Sequence, residues 1–321
     1  MTPVKPQTVV ATRSSQRKPE WLKVRLPGGE RYTALRQSFA ALGLHTVCEE
    51  ARCPNIAECW GAGTATLMLL GDTCTRGCRF CAVTSGNPRG RVDAGEPERV
   101  ADALAAMELE YVVLTMVDRD DLTDGGAAHV ARTVRGIHAR SPQMRVETLV
   151  GDFAGSRRDV ATVVEQGRPE VFAHNVEVVP RLQRIMRDAR CSWERSLDVL
   201  RWAREAGARV TKTSLMVGCG ETDDEIFAAL AALREVNVDV VTLGQYLRPT
   251  PKHAPVVRFV EPATFDAYRD HGLALGFKYV AAGPLVRSSY RAAEAFLHSF
   301  LDAADKPRHD RYGRRHLEVV H

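Results

Sequence analysis

The sequence predicts an α/β protein built around one parallel sheet. Short apolar runs recur along the chain, several of them rich in β-branched residues, and a helical pattern of apolar residues separates most of them. Six strands are predicted, at residues 65–70, 111–117, 144–150, 171–177, 209–217 and 238–247. Repeated strand–helix units imply right-handed crossovers between parallel strands, in either a doubly wound sheet or a (β/α) barrel.

Apolar residues at positions i, i+4 and i+7 indicate the helices between these strands, as in Val100, Leu104 and Met107. Further helices are predicted over residues 262–275, where Pro262 suits a first-turn position, and over residues 290–301. The chain therefore divides into an N-terminal extension (1–63), a strand–helix region (64–283) and a C-terminal extension (284–321).

The composition is that of a folded globular chain, with 321 residues, 45% hydrophobic and 26% charged. No apolar run reaches the ~18 residues that a membrane-spanning helix needs. Residues 1–36 lack the apolar core of a secretion signal, so we expect a cytoplasmic protein. The net charge of +4 hides basic ends on a mildly acidic body. These ends are either solvated tails or a docking site for an acidic partner; nucleic acid and membrane are not expected as partners.

Six of the eight cysteines fall into two triplets. The upstream triplet, C-x4-C-x5-C, consists of Cys48, Cys53 and Cys59. The second, C-x3-C-x2-C, directly follows the first strand and consists of Cys74, Cys78 and Cys81. Structural zinc commonly uses C-x2-C pairs that together supply four ligands, and neither triplet fits that pattern. Three thiolates on a tight loop suit an iron–sulfur cluster with one open iron. Cys191 and Cys219 are interpreted as small buried apolar side chains.

The second triplet, in CTRGCRFC at 74–81, resembles the signature of the radical S-adenosylmethionine (SAM) superfamily. Both triplets together with RSSY at 287–290 resemble the lipoyl synthase family, and the similarity covers roughly residues 18–293. It includes VDRDDLTDGGA at 117–127, HNVE at 174–177, LMVGCGET at 215–222 and GQYLRPT at 244–250. The upstream triplet and RSSY are the specific features, because the other triplet indicates only the superfamily.

This resemblance implies a partial (β/α)6 TIM-type barrel whose N- and C-terminal extensions carry an auxiliary cluster. The catalytic cysteines would be Cys74, Cys78 and Cys81, which would bind a 4Fe–4S cluster whose fourth iron is chelated by SAM. Reductive cleavage of SAM would then give a 5′-deoxyadenosyl radical. So strong an oxidant is needed because an unactivated alkyl C–H bond is beyond acid–base catalysis, while the protein supplies positioning and excludes solvent.

The resemblance also implies a second, auxiliary 4Fe–4S cluster on Cys48, Cys53, Cys59 and a serine of RSSY, where Ser289 is favoured over Ser288. This cluster would be consumed, giving sulfur to C6 and C8 of an octanoyl chain. The octanoyl chain is attached to a lipoyl carrier domain, so the expected partners are an octanoylated carrier protein and a low-potential electron donor. An acidic carrier would suit the basic ends of the chain.

Contacts to SAM are expected at the ends of the strands. The candidates are Phe80, Gly125, Gly126, Asn175, Glu177 and Lys212. Gly125 and Gly126 could instead form a helix-start turn. Asn175 and Glu177 alternate along a strand and so share one face, where they could also pair with each other or with Lys212. Arg187 is a further possible cationic contact, and His174 is interpreted as structural.

The chain departs from the family pattern at a few positions, none of which removes a cluster ligand. Met116 stands where serine is expected, Gly151 replaces a proline and Arg248 replaces a glutamine. Asp188 and Cys191 lie in a stretch that is usually richer in proline and glycine. The alternatives are another sulfur-inserting or methylthio-transferring radical SAM enzyme, or a non-catalytic iron–sulfur or zinc protein.

Overall fold

The computed structural model describes residues 17–23, 33, 36–37, 45–46, 55–61, 64–107, 109–289 and 292. In this part of the chain eight strands form one sheet in the order β1-β2-β5-β6-β7-β8-β9-β10. They are β1 His45–Thr46, β2 Thr64–Leu69, β5 Tyr111–Met116, β6 Arg145–Leu149, β7 Val171–Ala173, β8 Thr211–Val217, β9 Val240–Gln245 and β10 Tyr279–Gly283. A separate pair, β3 Thr73–Cys74 and β4 Thr84–Ser85, lies in the loop after β2.

Helices connect successive strands of the sheet. They are α1 Ile56–Gly61, α2 Glu96–Ala106, α3 Ala127–Arg140, α4 Arg157–Thr162, α5 Gln183–Met186, α6 Trp193–Glu205, α7 Asp223–Glu235 and α8 Pro262–Ala274. Apart from β1, which is antiparallel to β2, every strand of the large sheet is parallel to its neighbours. No described helix is long and apolar enough to cross a membrane.

The prediction of a partial α/β barrel is confirmed, and all six predicted strands are present. The fourth is shorter than predicted, because its regular pairing stops after Ala173. Glu177, which has a positive φ of 67°, forms only an isolated bridge with Leu215 of β8. A further parallel strand, β10, was not predicted, because its sequence YVAAG carries a single β-branched residue. The helix predicted over 262–275 is confirmed as α8, whereas the one over 290–301 lies outside the described residues apart from Ala292.

Two apolar clusters hold the helices against the outer face of the sheet. One packs α2 and α3 onto β2, β5 and β6 around Leu104, Val134 and Val146. The other packs α7 and α8 onto β8 and β9 around Leu230 and Val241. Since the strands are parallel, their carboxyl ends share one edge of the sheet, and the loops that follow them meet there.

The C-terminal segment runs along the inner face of β9. At the carboxyl end of β9 the segment approaches so closely that a Cβ on Gly244 would lie 2.0 Å from the carbonyl oxygen of Val286. At the amino end Ala292 is buried in a cluster with Tyr111 and Val240. Val240 and Gly244 are four positions apart and so face the same side of the strand. Val286 and Ala292 therefore both lie on the inner side of the sheet.

A buried ion pair lies near the amino ends of the strands. Lys212 Nζ contacts both carboxylate oxygens of Glu147 at 2.9 Å, and Tyr111 Oη donates to Glu147 Oε2 at 2.9 Å. The side chains of Lys212 and Glu147 are 3% and 1% exposed. Lys212 is the second residue of β8 and therefore lies far from the carboxyl ends of the strands.

Replacement of Lys212 by methionine tests this structural role. The Lys212→Met variant leaves Glu147 charged and without its cation in the interior, so we expect the free energy of unfolding to fall by about 3–5 kcal/mol. Urea denaturation of the full chain measures the change. The control is Arg201→Met, which breaks the half-exposed pair with Asp198 and should cost at most about 1 kcal/mol. A Lys212→Met protein of unchanged stability but weakened SAM binding would contradict the assignment.

Candidate active site

The carboxyl ends of the strands surround a cavity of about 420 Å³. Its wall includes the cysteine loop after β2, which contributes Cys74, Cys78, Phe80 and Cys81. Strand ends and loops contribute apolar side chains, among them Met116, Leu149, Leu215, Met216 and Leu247. The C-terminal segment contributes Val286, Arg287, Ser288 and Ser289. The predicted superfamily triplet and the RSSY segment therefore meet at one cavity.

Backbone hydrogen bonds fix the cysteine loop to the surrounding elements. The Thr75 N–H donates to the carbonyl of Asp118 at 2.9 Å, and the Arg79 N–H donates to that of Met186 at 2.8 Å. Two backbone N–H groups also point at the sulfurs: that of Arg76 lies 3.4 Å from Cys74 Sγ, and that of Asp188 lies 3.3 Å from Cys78 Sγ. Such donors stabilise a thiolate that serves as a ligand.

Arg76 anchors the loop from inside. It is 3% exposed, and its guanidinium contacts Asp120 through Nε at 3.0 Å and through Nη2 at 2.8 Å. The same Nη2 lies 2.5 Å from Asp152 Oδ1, while Nη1 lies 3.6 Å from Asp118 Oδ1. Asp118 and Asp120 follow β5, and Asp152 follows β6. One buried cation therefore ties the cysteine loop to the ends of two strands.

The thiols of the loop are shifted towards their protonated forms. Burial raises the pKa of Cys74 and raises that of Cys81 to about 11. Cys78 and the cavity residue Cys191 form a hydrogen-bonded pair, which raises the pKa of Cys78 and lowers that of Cys191 to about 7. Binding of iron by the loop must therefore displace protons, as thiolate ligands generally require.

Within the described part of the chain, no three His, Cys, Asp or Glu side chains are close enough to hold a single metal ion. The three thiols of the loop nevertheless line one cavity and receive backbone N–H donors. A multi-iron cluster needs only one thiolate for each iron that it binds, so this donor set fits a cluster with one open iron.

Two further polar groups of the cavity suit a charged ligand. Asn175 and Glu177 line it and are hydrogen-bonded to each other, and burial raises the pKa of Glu177. Arg187 is 8% exposed and donates from Nη1 to Ser196 Oγ at 2.8 Å, but its buried Nε has no hydrogen-bond partner among the described residues. Arg187 therefore places a positive charge at the cavity wall, where it could pair with a carboxylate.

The other predicted SAM contacts lie outside this cavity. Gly126 precedes α3 with φ at 90°, and a Cβ there would lie 2.3 Å from Leu70 Cδ1, so it forms the helix-start turn that was the alternative interpretation. Gly125 lines a neighbouring polar cavity that shares Met116 and Asp118 with the first. Lys212 is held in the ion pair with Glu147, and its expected contact with SAM is not supported.

Only one cysteine of the upstream triplet lies among the described residues. Cys59 lies in α1 and is half-buried, whereas Cys48 and Cys53 lie outside the described residues. Asn55, whose carbonyl accepts from the Cys59 N–H at 2.9 Å, donates through Nδ2 to the Leu285 carbonyl at 2.6 Å. The beginning of α1 therefore contacts the chain just before Ser288 and Ser289.

Sequence reasoning missed the roles of Arg76, Asp118 and Asp152. The sequence does contain charged residues at these positions, because Arg76 lies inside CTRGC and Asp118 lies inside VDRDD. Charged residues in such motifs require partners when they are buried. Burial raises the pKa of Asp118 to about 6, although the charge of Arg76 opposes the shift.

Comparison with known proteins identifies the family. The model of the Radical SAM superfamily matches residues 68–244, and that of the N-terminal domain of lipoyl synthase matches residues 3–53. The chain belongs to the lipoyl synthase family. It is 61% identical to the lipoyl synthase of Sorangium cellulosum over 89% of this chain and 80% of that protein. It is 55% identical to that of Thermus thermophilus over 87% of each. Membership of the superfamily implies a 4Fe–4S cluster and SAM.

Solved structures of similar fold are distant in sequence. Methylornithine synthase matches with a TM-score of 0.51 at 16% identity, over 79% of this chain and 83% of that one. Streptococcus suis SuiB bound to its precursor peptide SuiA matches with a TM-score of 0.54 at 8% identity, over 82% and 54%. At these identities the likeness supports the fold alone.

Arg76→Lys tests the anchor of the cysteine loop. Lysine keeps the charge but cannot contact Asp120 through two nitrogens and Asp152 at the same time. We expect the fold to persist while the affinity for iron on the loop falls about 10- to 100-fold, the usual effect of losing a supporting residue. Iron and sulfide analysis and electron paramagnetic resonance of the reconstituted protein measure this.

The matched control is Arg79→Lys, which changes an exposed arginine of the same loop that donates to the Ile185 carbonyl at 3.2 Å. It should retain iron like the unmodified chain. Equal iron retention in both variants would contradict the anchoring role of Arg76.

His174 should make stability depend on pH. Its Nδ1 donates to the Val150 carbonyl at 2.8 Å and its Nε2 accepts from Ser196 Oγ at 3.0 Å, which leaves the ring neutral. Burial, aided by the charge of Arg187, lowers the pKa of His174 to about 4 from 6.5. Below pH 6.5 only the unfolded chain takes up this proton, so about 3 kcal/mol of stability is lost as the pH falls from 6.5 to 4.

Comparison with His174→Gln isolates this effect. Asp118 and Glu177, whose pKa values are raised, act in the opposite direction, but they contribute equally to both proteins. The measurement is the unfolding midpoint of each protein between pH 4 and 8. The midpoints of the native chain and of His174→Gln should converge at low pH, because the native chain loses the stability that neutral His174 contributes. His271→Gln, which removes a ring on α8 that packs 4.5 Å from the ring of Phe227 on α7, should keep the full dependence. Parallel curves for the native chain and His174→Gln would contradict the prediction.

Proposed function

We propose that this protein inserts sulfur at C6 and C8 of a protein-bound octanoyl group, with an auxiliary 4Fe–4S cluster as the sulfur donor. One observation carries the proposal: the superfamily cysteines and the serines of RSSY line the same cavity. Neither feature alone distinguishes this activity from that of other radical SAM enzymes. Their convergence supports a reaction in which radical formation and sulfur donation take place side by side.

The cavity also suits the substrate. Met116, Leu149, Leu215, Met216 and Leu247 give it an apolar wall, where an alkyl chain is stabilised by removal from water. In this proposal Arg187 and the Asn175–Glu177 pair would hold the charged part of SAM beside that wall. Val286 and Ala292 of the C-terminal segment pack against the inner face of β9.

The cluster held by Cys74, Cys78 and Cys81 supplies, when bound, one electron for each SAM, which yields methionine and a 5′-deoxyadenosyl radical. Arg76 holds the loop at the strand ends, and the N–H groups of Arg76 and Asp188 support its sulfurs. Each sulfur insertion replaces one hydrogen atom, which the radical would remove to give 5′-deoxyadenosine. Two insertions therefore consume two molecules of SAM and two sulfur atoms.

We assign the auxiliary cluster to Cys48, Cys53, Cys59 and Ser289. The contact between Asn55 and Leu285 supports this assignment, because it joins the start of the helix that carries Cys59 to the segment that leads into Ser289. An alkoxide oxygen is a hard ligand among soft thiolates, and such a ligand suits a cluster that must open to release sulfur. The extensions 1–63 and 284–321 thus complete the barrel of residues 64–283.

The partners of the proposed reaction are an octanoylated lipoyl carrier protein and a low-potential electron donor, in a cytoplasmic setting. The basic residues at both ends of the chain suit an acidic carrier. Among relatives of similar identity are proteins described as mitochondrial, from Laccaria bicolor, and as apicoplast, from Plasmodium knowlesi. The carrier chemistry, rather than the compartment, is therefore what the proposal depends on.

The test uses anaerobically reconstituted full-length protein with SAM, dithionite and an octanoylated carrier domain. Mass spectrometry should show two sulfurs in place of two hydrogens, together with 5′-deoxyadenosine. Cleavage of SAM without sulfur insertion would favour a different radical SAM enzyme. Zinc without acid-labile sulfide would overturn both interpretations.

Two variants separate the proposed clusters. Cys78→Ala should abolish SAM cleavage, because it removes a ligand of the cluster that binds SAM. Ser289→Ala should keep SAM cleavage and lose sulfur insertion, with about four of about eight iron atoms retained in stable form. The matched control is Ser288→Ala, which changes the neighbouring serine of the same cavity. Normal insertion by Ser289→Ala, with loss in Ser288→Ala, would move the assignment by one residue.

A further inference from the structure

Cys191 is a cavity residue for which the proposed reaction has no use. It is 6% exposed and lines the same cavity as Cys78. Its backbone N–H donates to the Asp188 carbonyl at 2.9 Å, and the Asp188 N–H in turn lies 3.3 Å from Cys78 Sγ. The Sγ of Cys191 also lies 3.4 Å from Arg76 Nη1, which donates to it. A buried arginine that contacts both the strand-end carboxylates and this sulfur holds Cys191 beside the cysteine loop.

The backbone, and not only the two side chains, keeps these thiols together. The Arg79 N–H donates to the Met186 carbonyl at 2.8 Å, and the Gly77 N–H donates to Asp188 Oδ2 at 2.9 Å. Arg190 Nη2 donates to the Thr75 carbonyl at 2.6 Å. The segment that carries Cys191 is therefore bound along the cysteine loop on both sides of Cys78. The two cysteines therefore lie on segments that are hydrogen-bonded to each other, and a disulfide between them requires such an arrangement.

We propose that Cys78 and Cys191 form a reversible disulfide when the cluster is absent and a peroxide is present. The proposal rests on the proposed function only in treating Cys78 as a cluster ligand. It assigns to Cys191 a modification chemistry that the sulfur-insertion reaction does not include.

The chemistry balances with hydrogen peroxide as the oxidant. The sulfur of Cys191, to which Arg76 donates, attacks one peroxide oxygen; an S–O bond forms, the O–O bond breaks and one water leaves. The sulfur of Cys78 then attacks the sulfenic sulfur of Cys191; the S–S bond forms and a second water leaves. Two thiols thus lose two electrons and two protons to one peroxide. A dithiol reverses the modification by thiol–disulfide exchange.

The disulfide would protect a ligand that the enzyme cannot replace. A thiolate left without iron in the presence of peroxide can proceed from sulfenic to sulfinic acid, which thiols do not reverse. A Cys78 that is bonded to Cys191 cannot bind iron, but it returns intact after reduction. Cys219 offers a contrast, because it is 7% exposed but packs in the apolar cluster of β8 and β9.

The experiment uses the full chain, reconstituted and then stripped of metal by an anaerobic chelator. One equivalent of hydrogen peroxide is added, free thiols are alkylated, and the digested protein is analysed by mass spectrometry. We expect a cross-linked Cys78–Cys191 peptide that disappears with dithiothreitol, after which the protein takes up iron again. Cys191→Ser should instead accumulate sulfinic acid at Cys78 and recover less iron. Cys219→Ser is the matched control and should behave like the native chain.

Three outcomes would overturn the inference: a disulfide from Cys78 to Cys74 or Cys81, a native chain in which Cys78 keeps a free thiol, or a Cys191→Ser variant that recovers iron like the native chain. Peptide mapping reports on thiols and not on turnover. A chain that forms the cross-link but inserts no sulfur would therefore overturn the proposed function alone. A chain that inserts sulfur but forms no cross-link would overturn this inference alone.

Discussion

Arg76 brings a permanent positive charge into the interior at the point where the cysteine loop meets the strands. Removing such a charge from water costs several kcal/mol unless carboxylates compensate for it. Here Asp120 and Asp152 contact it directly and Asp118 lies 3.6 Å away. The loop can leave the strand ends only by separating these charges, so its position is coupled to the integrity of β5 and β6. The placement of all three sulfurs depends on this constraint.

The same constraint explains the glycine at position 151, one of the departures from the family pattern, whereas Met116 has a different role. A Cβ at Gly151 would lie 2.2 Å from Asp118 Oδ1, so a residue without a side chain leaves space for that carboxylate beside Arg76. Met116, in place of serine, lines both the cysteine cavity and the neighbouring polar one. A thioether is long and adaptable, and at this position it extends the apolar wall at the boundary between the two cavities.

The sequence was sufficient for the barrel and the cysteine loop because both depend on local pattern. Apolar runs predict six strands, and spacing alone groups the cysteines.

The position of a residue along its strand was harder to predict. The charge of Lys212 suggests a contact with SAM. Lys212 is, however, the second residue of a parallel strand, and therefore lies at the end opposite the cavity. Period-2 alternation put Asn175 and Glu177 on one face, but β7 ends at Ala173 and a turn, with Glu177 at φ 67°, brings both into the cavity. Neither the partners of Arg76 nor the contact between Cys78 and Cys191 could be predicted, because both depend on segments far apart in the chain.

The two ends of the barrel differ in chemistry, and residues of the C-terminal segment contact both ends. At the amino ends Lys212, Glu147 and Tyr111 satisfy one another, and Ala292 packs into the apolar cluster beside them. At the carboxyl ends Arg187 lines the cavity, and its buried Nε has no hydrogen-bond partner among the described residues. Val286 packs against Gly244 at the carboxyl end of β9, and Ala292 is buried at its amino end, while Ser288 and Ser289 lie at the cavity wall. The packing of Val286 on β9 therefore helps to position the two serines at the cavity wall.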